Sequence, residues 1–163
     1  MSNLYIQGLK TETKTTDLLT NVFNWKGDEL PKRVGDIPGP YNPSAGFKVY
    51  YHNVHEKGFF SYGPYLENES LGIMNVYFFM SATNKENGSS PAFTIDIVDA
   101  HNLNDPLVKR TFYINQLPSN SDGFIVIGNN IPIKPGQSIE ARIIAEGGCD
   151  LQLFYLRIET SGL

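Results

Sequence analysis

The chain has one cysteine, few charged residues and no long hydrophobic run. The single cysteine, Cys149, permits no intrachain disulfide and no cysteine-based zinc site in these 163 residues. No apolar stretch approaches the ~20 residues needed to cross a bilayer. The N-terminus lacks a basic region followed by an apolar run, so no signal peptide is apparent. We expect no membrane insertion. We expect the protein to be cytoplasmic when made, and any association with a virion or cell surface to be reached without a cleaved leader.

Positive charge and catalytic motifs are also scarce. Thirteen Lys and Arg against seventeen Asp and Glu give a net charge of -4. Because nucleic-acid binding needs a concentrated basic patch, we expect no nucleic-acid partner. The sequence contains no Gly-x-Ser-x-Gly elbow, phosphate-binding glycine loop or dinucleotide fingerprint. Glycoside hydrolysis needs two converging carboxyls, and the candidates fall in turns or on solvent faces of strands. We therefore expect no enzymatic activity.

Aromatic residues are abundant by contrast, and they accompany a strand pattern. Ten Phe, nine Tyr and one Trp favour strands over helices. Apolar and polar residues alternate along Phe93–Val98, while the nearly continuous apolar run within Leu71–Ser81 predicts a central strand covered on both faces. About eight strands at turn spacings of ~8–12 residues predict an all-β fold, an antiparallel two-sheet β-sandwich, over residues 47–163.

The last two predicted strands flank Gly147-Gly148 and are expected to pair as a closing hairpin. In the first strand, one face is predicted to carry Ile139, Ala141, Ile143 and Ala145. In the return strand, strict alternation places Phe154, Leu156 and Ile158 on one face and Leu151, Leu153 and Tyr155 on the other.

Residues 1–46 are polar and end in a segment rich in glycine and proline, which predicts an extended N-terminal arm or linker. Within it, Thr16 can cap a short helix from Asp17 to Trp25, whose apolar face is formed by Leu18, Leu19, Val22 and Phe23. So short a helix must pack against something. We expect it to lie either on the sandwich of its own chain or on a neighbouring subunit of a homo-oligomer.

Four segments together resemble a known family. They are Phe60–Leu66 with its Gly-Pro-Tyr sequence, the central apolar strand within Leu71–Ser81, the alternating strand Phe93–Val98, and the closing segment Glu140–Leu151. This series resembles a carbohydrate-binding-module-like (lectin-like) jelly-roll domain over about residues 47–159. The resemblance implies a module that binds a glycan or cell-surface polysaccharide. Such modules commonly hold a structural calcium ion, although no matching set of acidic ligands is apparent, and no other cofactor is expected.

The densest cluster of aromatic and polar residues spans positions 50–62. Aromatic faces can stack on a pyranose while polar side chains hydrogen-bond its hydroxyls. Alternatively, the rings of this cluster fill the core or pack under the arm. His52 and His55 lack a third metal ligand, so hydrogen bonding explains them more simply than a metal site. The candidate ligand-binding residues are Tyr50, His52, His55, Tyr62 and Tyr65.

Two functions follow from these observations. The first is a non-catalytic carbohydrate-binding module that recognises a glycan through exposed aromatic and polar residues. The alternative is a structural or assembly protein, such as a phage virion or baseplate component, that uses residues 1–46 for oligomer contacts. The two are compatible, because receptor-binding proteins of virions are often sugar-binding sandwiches.

Overall fold

The computed structural model describes residues 3–8, 21–36, 46–118 and 123–162. Over these residues the protein is all-β, with two antiparallel sheets and two short 3₁₀ turns, Gly27–Glu29 and Ile114–Gln116. This confirms the predicted all-β, two-sheet architecture. The strands in these segments are β1 (Asn3–Gly8), β2 (Asn21–Lys26), β3 (Lys48–Tyr50), β4 (Gly58–Ser61), β5 (Pro64–Glu67), β6 (Gly72–Thr83), β7 (Pro91–Asp99), β8 (Val108–Tyr113), β9 (Phe124–Ile133), β10 (Ser138–Ala145) and β11 (Asp150–Gly162).

The strand pairs are nested along the chain. Sheet I has the order β1-β9-β6-β11-β2, with β3 also paired to β11, and sheet II has the order β4-β10-β7-β8, with β5 also paired to β10. Strand β7 pairs with β8, β6 with β9, β4 and β5 with β10, and β2 and β3 with β11. Successive pairs therefore lie alternately in sheet II and sheet I.

The period-two pattern predicts the core-facing residues of β7 and β10 correctly. The polar face expected on β7 is wrong, because Thr94, Asp96 and Val98 are at most 4% exposed. In β10 the four predicted inward residues, Ile139 to Ala145 at every second position, are at most 1% exposed. Phe93, Ile95 and Ile97 of β7 lie opposite them in the same core. The central strand β6 is covered on both faces, as expected: Val76 and Phe78 face the core, while Tyr77 packs with Ile125 and Ile127 on the other side.

The predicted closing hairpin is wrong, because β10 lies in sheet II and β11 in sheet I. Gly147 has the expected positive φ of 88°, but the turn it makes passes between the sheets. A Cβ atom on Gly148 would lie 2.4 Å from the carbonyl oxygen of Pro91, so only glycine lets the crossing chain approach β7 this closely. Alternation identifies which face of a strand is buried, but it does not identify the neighbouring strand.

The predicted faces of β11 are also wrong, because a β-bulge interrupts the strand. Leu153 pairs with Met80 and Tyr155 with Phe79, which leaves Phe154 without a partner in β6. A bulge shifts all later side chains to the other face. The core therefore receives residues from both predicted faces, namely Leu151, Leu153, Leu156 and Ile158.

The helix predicted from Asp17 to Trp25 is not formed over its second half, because Asn21–Lys26 is strand β2, paired with β11. Residues 9–20, including Thr16, lie outside the described residues. Phe23 and Trp25 occupy alternate positions, and strand pairing with a long neighbour stabilises this stretch more than an isolated helical turn would. Strand β1 is likewise paired in sheet I, so the described strands of the predicted arm belong to the sandwich.

Candidate functional site

The five predicted site residues occupy two separate places. Tyr62 and Tyr65 line a concavity on the outer face of sheet II. Tyr50 is the last residue of β3, and His52 and His55 belong to the loop that follows it. None of these three lines the concavity.

Tyr50 is not at the surface, so the expectation that its ring is exposed is wrong. The residue is 0% exposed, and its ring meets Phe60 edge-on at 6.1 Å. Its hydroxyl donates to the carbonyl oxygen of His55 at 3.4 Å. Burial raises the pKa of Tyr50, with smaller contributions from nearby Cys149 and Asp150. Tyr50 is therefore a core residue that supports the loop after β3.

His52 joins that loop to the start of β11. Its Nδ1 lies 2.6 Å from Oδ1 of Asp150, which also accepts the backbone N–H of His52 at 3.0 Å. Asn84 donates to the other carboxylate oxygen at 2.6 Å. Burial alone would raise the pKa of Asp150, but these hydrogen bonds from Asn84 and His52 outweigh it and hold the pKa below its usual range.

Replacing Asp150 with asparagine is expected to lower the unfolding free energy by about 1–2 kcal/mol at neutral pH, because charge-assisted hydrogen bonds are lost. A depressed carboxyl pKa contributes stability that is present above the unfolded value and is lost as pH falls through the folded value. The difference between wild type and Asp150→Asn should therefore shrink below about pH 4. Urea denaturation at pH 7 and pH 3.5 measures this. An equal difference at both pH values would contradict the assignment.

His55 is held in a similar way. Its Nε2 lies 3.0 Å from Oδ2 of Asp36, and its Nδ1 accepts the backbone N–H of Tyr51 at 2.9 Å. Both histidines therefore have hydrogen-bonding roles within the loop. Within the described segments, no three His, Cys, Asp or Glu side chains converge to hold a metal ion.

The concavity on sheet II brings aromatic rings and opposite charges together. We call it the Tyr65 concavity; its volume is about 170 Å³. The loop residues Ala100 and Leu103 form an apolar part of its wall. The side chains that give it chemical character are Arg33, Phe59, Tyr62, Tyr65, Glu140 and Arg142.

An irregular backbone presents Tyr65 to this concavity. The residue has φ of 65°, in the left-handed region that bulky L-residues rarely adopt. It lies at a register shift between β5 and β10, where Leu66 pairs with Ile139 and Pro64 with Glu140. Bulges of this kind redirect side chains, and strained conformations persist only where the surroundings enforce them. The Tyr65 ring is 45% exposed as a result.

Glu140 and Arg142 give the floor of the concavity its polarity. Arg142 donates two hydrogen bonds to Asp96, which lies directly opposite on β7, from Nε at 2.7 Å and Nη2 at 2.6 Å. Its guanidinium carbon lies 5.0 Å from the centre of the Phe59 ring. Glu140 is only 5% exposed. Burial and the nearby charge of Glu140 raise the pKa of Tyr65, and a hydrogen bond to Glu140 adds to the shift.

This arrangement can hold one flat ring by its face. The volume is below the ~300–1,000 Å³ of pockets that enclose drug-sized ligands. A ligand bound there would rest against Tyr65 and Tyr62, with Glu140 as a hydrogen-bond acceptor in the lining. A larger concavity of about 500 Å³ near Glu67–Ser70 offers one aromatic ring among its described lining residues, Phe23.

The sequence predicts two residues of the concavity and misses its charged members. Arg33 falls in the predicted arm, and Glu140 and Arg142 belong to a face assigned to solvent. The signal that could have identified them is the spacing of Glu140 and Arg142, which puts an acid and a base on the same face of one strand. Their proximity to Tyr65 depends on the pairing of β5 with β10, which no local pattern encodes.

Comparison with known protein families, with characterised proteins and with solved structures yields no match. The candidate site therefore rests on its own geometry. The helical segments within the described ranges are too short and too polar to cross a bilayer.

Proposed function

We propose that the protein is a non-catalytic carbohydrate-binding (lectin-like) module that binds a glycan in the Tyr65 concavity. The observation that carries this proposal is the half-exposed Tyr65 ring, held in a left-handed backbone conformation beside Tyr62 and Glu140. An exposed aromatic face supplies the stacking surface, and a carboxylate next to it supplies the directional hydrogen bond that a sugar hydroxyl needs.

The carboxylates near the concavity favour binding over catalysis. Hydrolysis of a glycosidic bond requires two carboxyl groups that flank the bond with access to it. Glu140 lines the concavity, but the side chain of Asp96 is 1% exposed and both its oxygens accept hydrogen bonds from Arg142. Asp96 is therefore committed to the fold, which leaves Glu140 as a hydrogen-bonding group.

The nested strand pairs support a jelly-roll topology for this module. Eight-stranded double-sheet jelly rolls occur in lectins and in viral capsid proteins. The pairs β7–β8, β6–β9, β4/β5–β10 and β2/β3–β11 alternate between the two sheets, as a hairpin rolled over a core requires. The proposed topology thus agrees with the proposed lectin-like function without specifying a ligand.

A glycan array probed with the wild type should identify a ligand, and Tyr65→Ala should weaken its binding about tenfold or more, with Tyr62→Ala next in effect. Tenfold corresponds to about 1.4 kcal/mol, within the range of a central aromatic contact. Isothermal titration calorimetry with the array ligand measures the change.

Tyr51→Ala is the matched control, because Tyr51 is also 45% exposed but lies beside His55 in the other region. Tyr65→Gly serves as a second variant, since glycine removes the ring and tolerates the positive φ. Full affinity in both Tyr65 variants, or a larger loss in Tyr51→Ala, would overturn the choice of site.

A further inference from the structure

We infer that the Tyr65 concavity selects a sugar ring that carries a carboxylate, with Arg33 as the residue that binds the acid. This inference rests on the proposed glycan-binding function and adds the ligand class. The two arginines that line the concavity differ in whether a carboxylate of the described residues pairs with them.

Within the described part of the chain, the guanidinium of Arg142 is paired with a carboxylate, whereas that of Arg33 is not. Asp96 engages Arg142 through two oxygens. No carboxylate among the described residues lies within ion-pair distance of the exposed Arg33 guanidinium. Its carbon lies 5.5 Å from the centre of the Phe59 ring and 5.9 Å from that of Tyr62. The Arg33 guanidinium therefore lies over two aromatic rings, and the N–H groups at its edge remain available to donate hydrogen bonds.

The backbone around Arg33 is fixed before any ligand binds. The N–H groups of Arg33 and Val34 both donate to the carbonyl oxygen of Phe59, at 2.9 and 3.1 Å. Asp36 and Val49 exchange two hydrogen bonds of 2.8 Å. These bonds fix the main chain, and the two ring contacts of the guanidinium restrain the side chain, so Arg33 loses less conformational entropy on binding. Its planar group suits a two-oxygen acceptor.

The buried Lys48 secures the other side of the same segment. Its Nζ donates to the carbonyl oxygens of Leu30 at 3.0 Å and Pro31 at 3.1 Å. The residue is 0% exposed. The segment that carries Arg33 is thus attached to β4 on one side and to β3 on the other.

Charge distribution in the concavity favours one carboxylate over a dense polyanion. Arg33 attracts an acid, while the carboxylate of Glu140 repels a second anionic group and accepts hydrogen bonds from hydroxyls. The protein as a whole has a net charge of -4, so bulk electrostatics do not favour acidic polymers. A ring with one carboxyl and several hydroxyls satisfies both ends of the site.

The test compares carboxylated oligosaccharides, both uronic-acid and sialic-acid types, with the same compounds after carboxyl reduction. The wild type should bind a carboxylated form about tenfold or more tightly than its reduced partner, as expected for loss of a charge-assisted pair. Arg33→Gln should lose this preference and keep the weaker binding of the reduced form. Arg33→Lys should retain part of it. The two carboxylated sets identify which acid is recognised.

Lys109→Gln is the matched control, because it removes the same charge from the exposed position opposite Asp96 on β8. It should leave the preference unchanged. A preference that survives Arg33→Gln, or that falls equally in Lys109→Gln, would overturn the assignment of Arg33. Tyr65-dependent binding of neutral glycans alone would overturn this inference and leave the proposed function standing. Absence of glycan binding in the wild type would overturn both.

Discussion

Asp96→Ala is expected to lower the unfolding free energy by about 3–5 kcal/mol, because it leaves a largely buried cation without its partner. The Asp96 side chain is 1% exposed and that of Arg142 is 13% exposed. Their two hydrogen bonds cross between directly paired residues of β10 and β7. The hydrogen bonds that Arg142 donates to Asp96 are the main reason that the pKa of Arg142 is raised further, against the effect of burial.

The double variant Asp96→Leu with Arg142→Met is the control for this prediction. Buried ion pairs can often be replaced by apolar residues of similar size at little cost in stability. The double variant should therefore unfold at a urea concentration much closer to wild type than Asp96→Ala. Fluorescence of the single tryptophan, Trp25, can follow the transition. A loss of less than about 1 kcal/mol in Asp96→Ala would show that the pair does not hold β7 to β10.

The second large effect concerns pH and Lys48. Burial lowers the pKa of Lys48 from 10.5 to about 7; Lys32 adds to the shift and Asp28 opposes it. Between these values the unfolded chain binds more protons than the folded one, so the unfolding free energy should rise with pH. The slope should reach about 1.4 kcal/mol per pH unit at most. Urea denaturation at several values from pH 7.5 to 9.5 measures this rise.

Lys48→Met removes the titrating group and should flatten the rise. The upper limit of pH 9.5 matters because the pKa values of Tyr50, Tyr65 and Tyr77 are raised, chiefly by burial. Stability that comes from a raised tyrosine pKa is lost only above about pH 10, so it does not enter the window. Burial also raises the pKa of Cys149 from 9.0 to about 12, so its contribution starts to fall near pH 9, in wild type and Lys48→Met alike. An identical slope in wild type and Lys48→Met would rule out Lys48 as the source.

The sequence predicts buried faces well and strand partners poorly. Alternation identifies the inward residues of β10 because they occupy every second position of the strand without interruption. The same rule failed in β11, where the bulge at Phe154 reverses the faces. The turn at Gly147 is correctly predicted. Whether the turn joins two neighbouring strands of one sheet or crosses to the other sheet depends on which side of the core each strand lies, and a local sequence pattern does not contain that information.

The candidate site was predicted in part for the same reason. Tyr62 and Tyr65 belong to a segment with recognisable aromatic and turn residues. Arg33 is distant in sequence from Arg142, and both line the same concavity only because the segment after Leu30 docks on β4. Tyr50 looked equivalent to Tyr65 as a ring among polar neighbours, yet pairing of β3 with β11 buries it. Exposure of a single ring depends on tertiary contacts.

The most direct test of the proposed glycan site is a titration of ¹⁵N-labelled protein with an array-identified oligosaccharide, followed by amide chemical shifts. The largest changes should fall on Arg33, Tyr62, Tyr65 and Glu140, with little change at His52. Shifts concentrated on the loop that carries His52 and His55, with the sheet II face unperturbed, would contradict it.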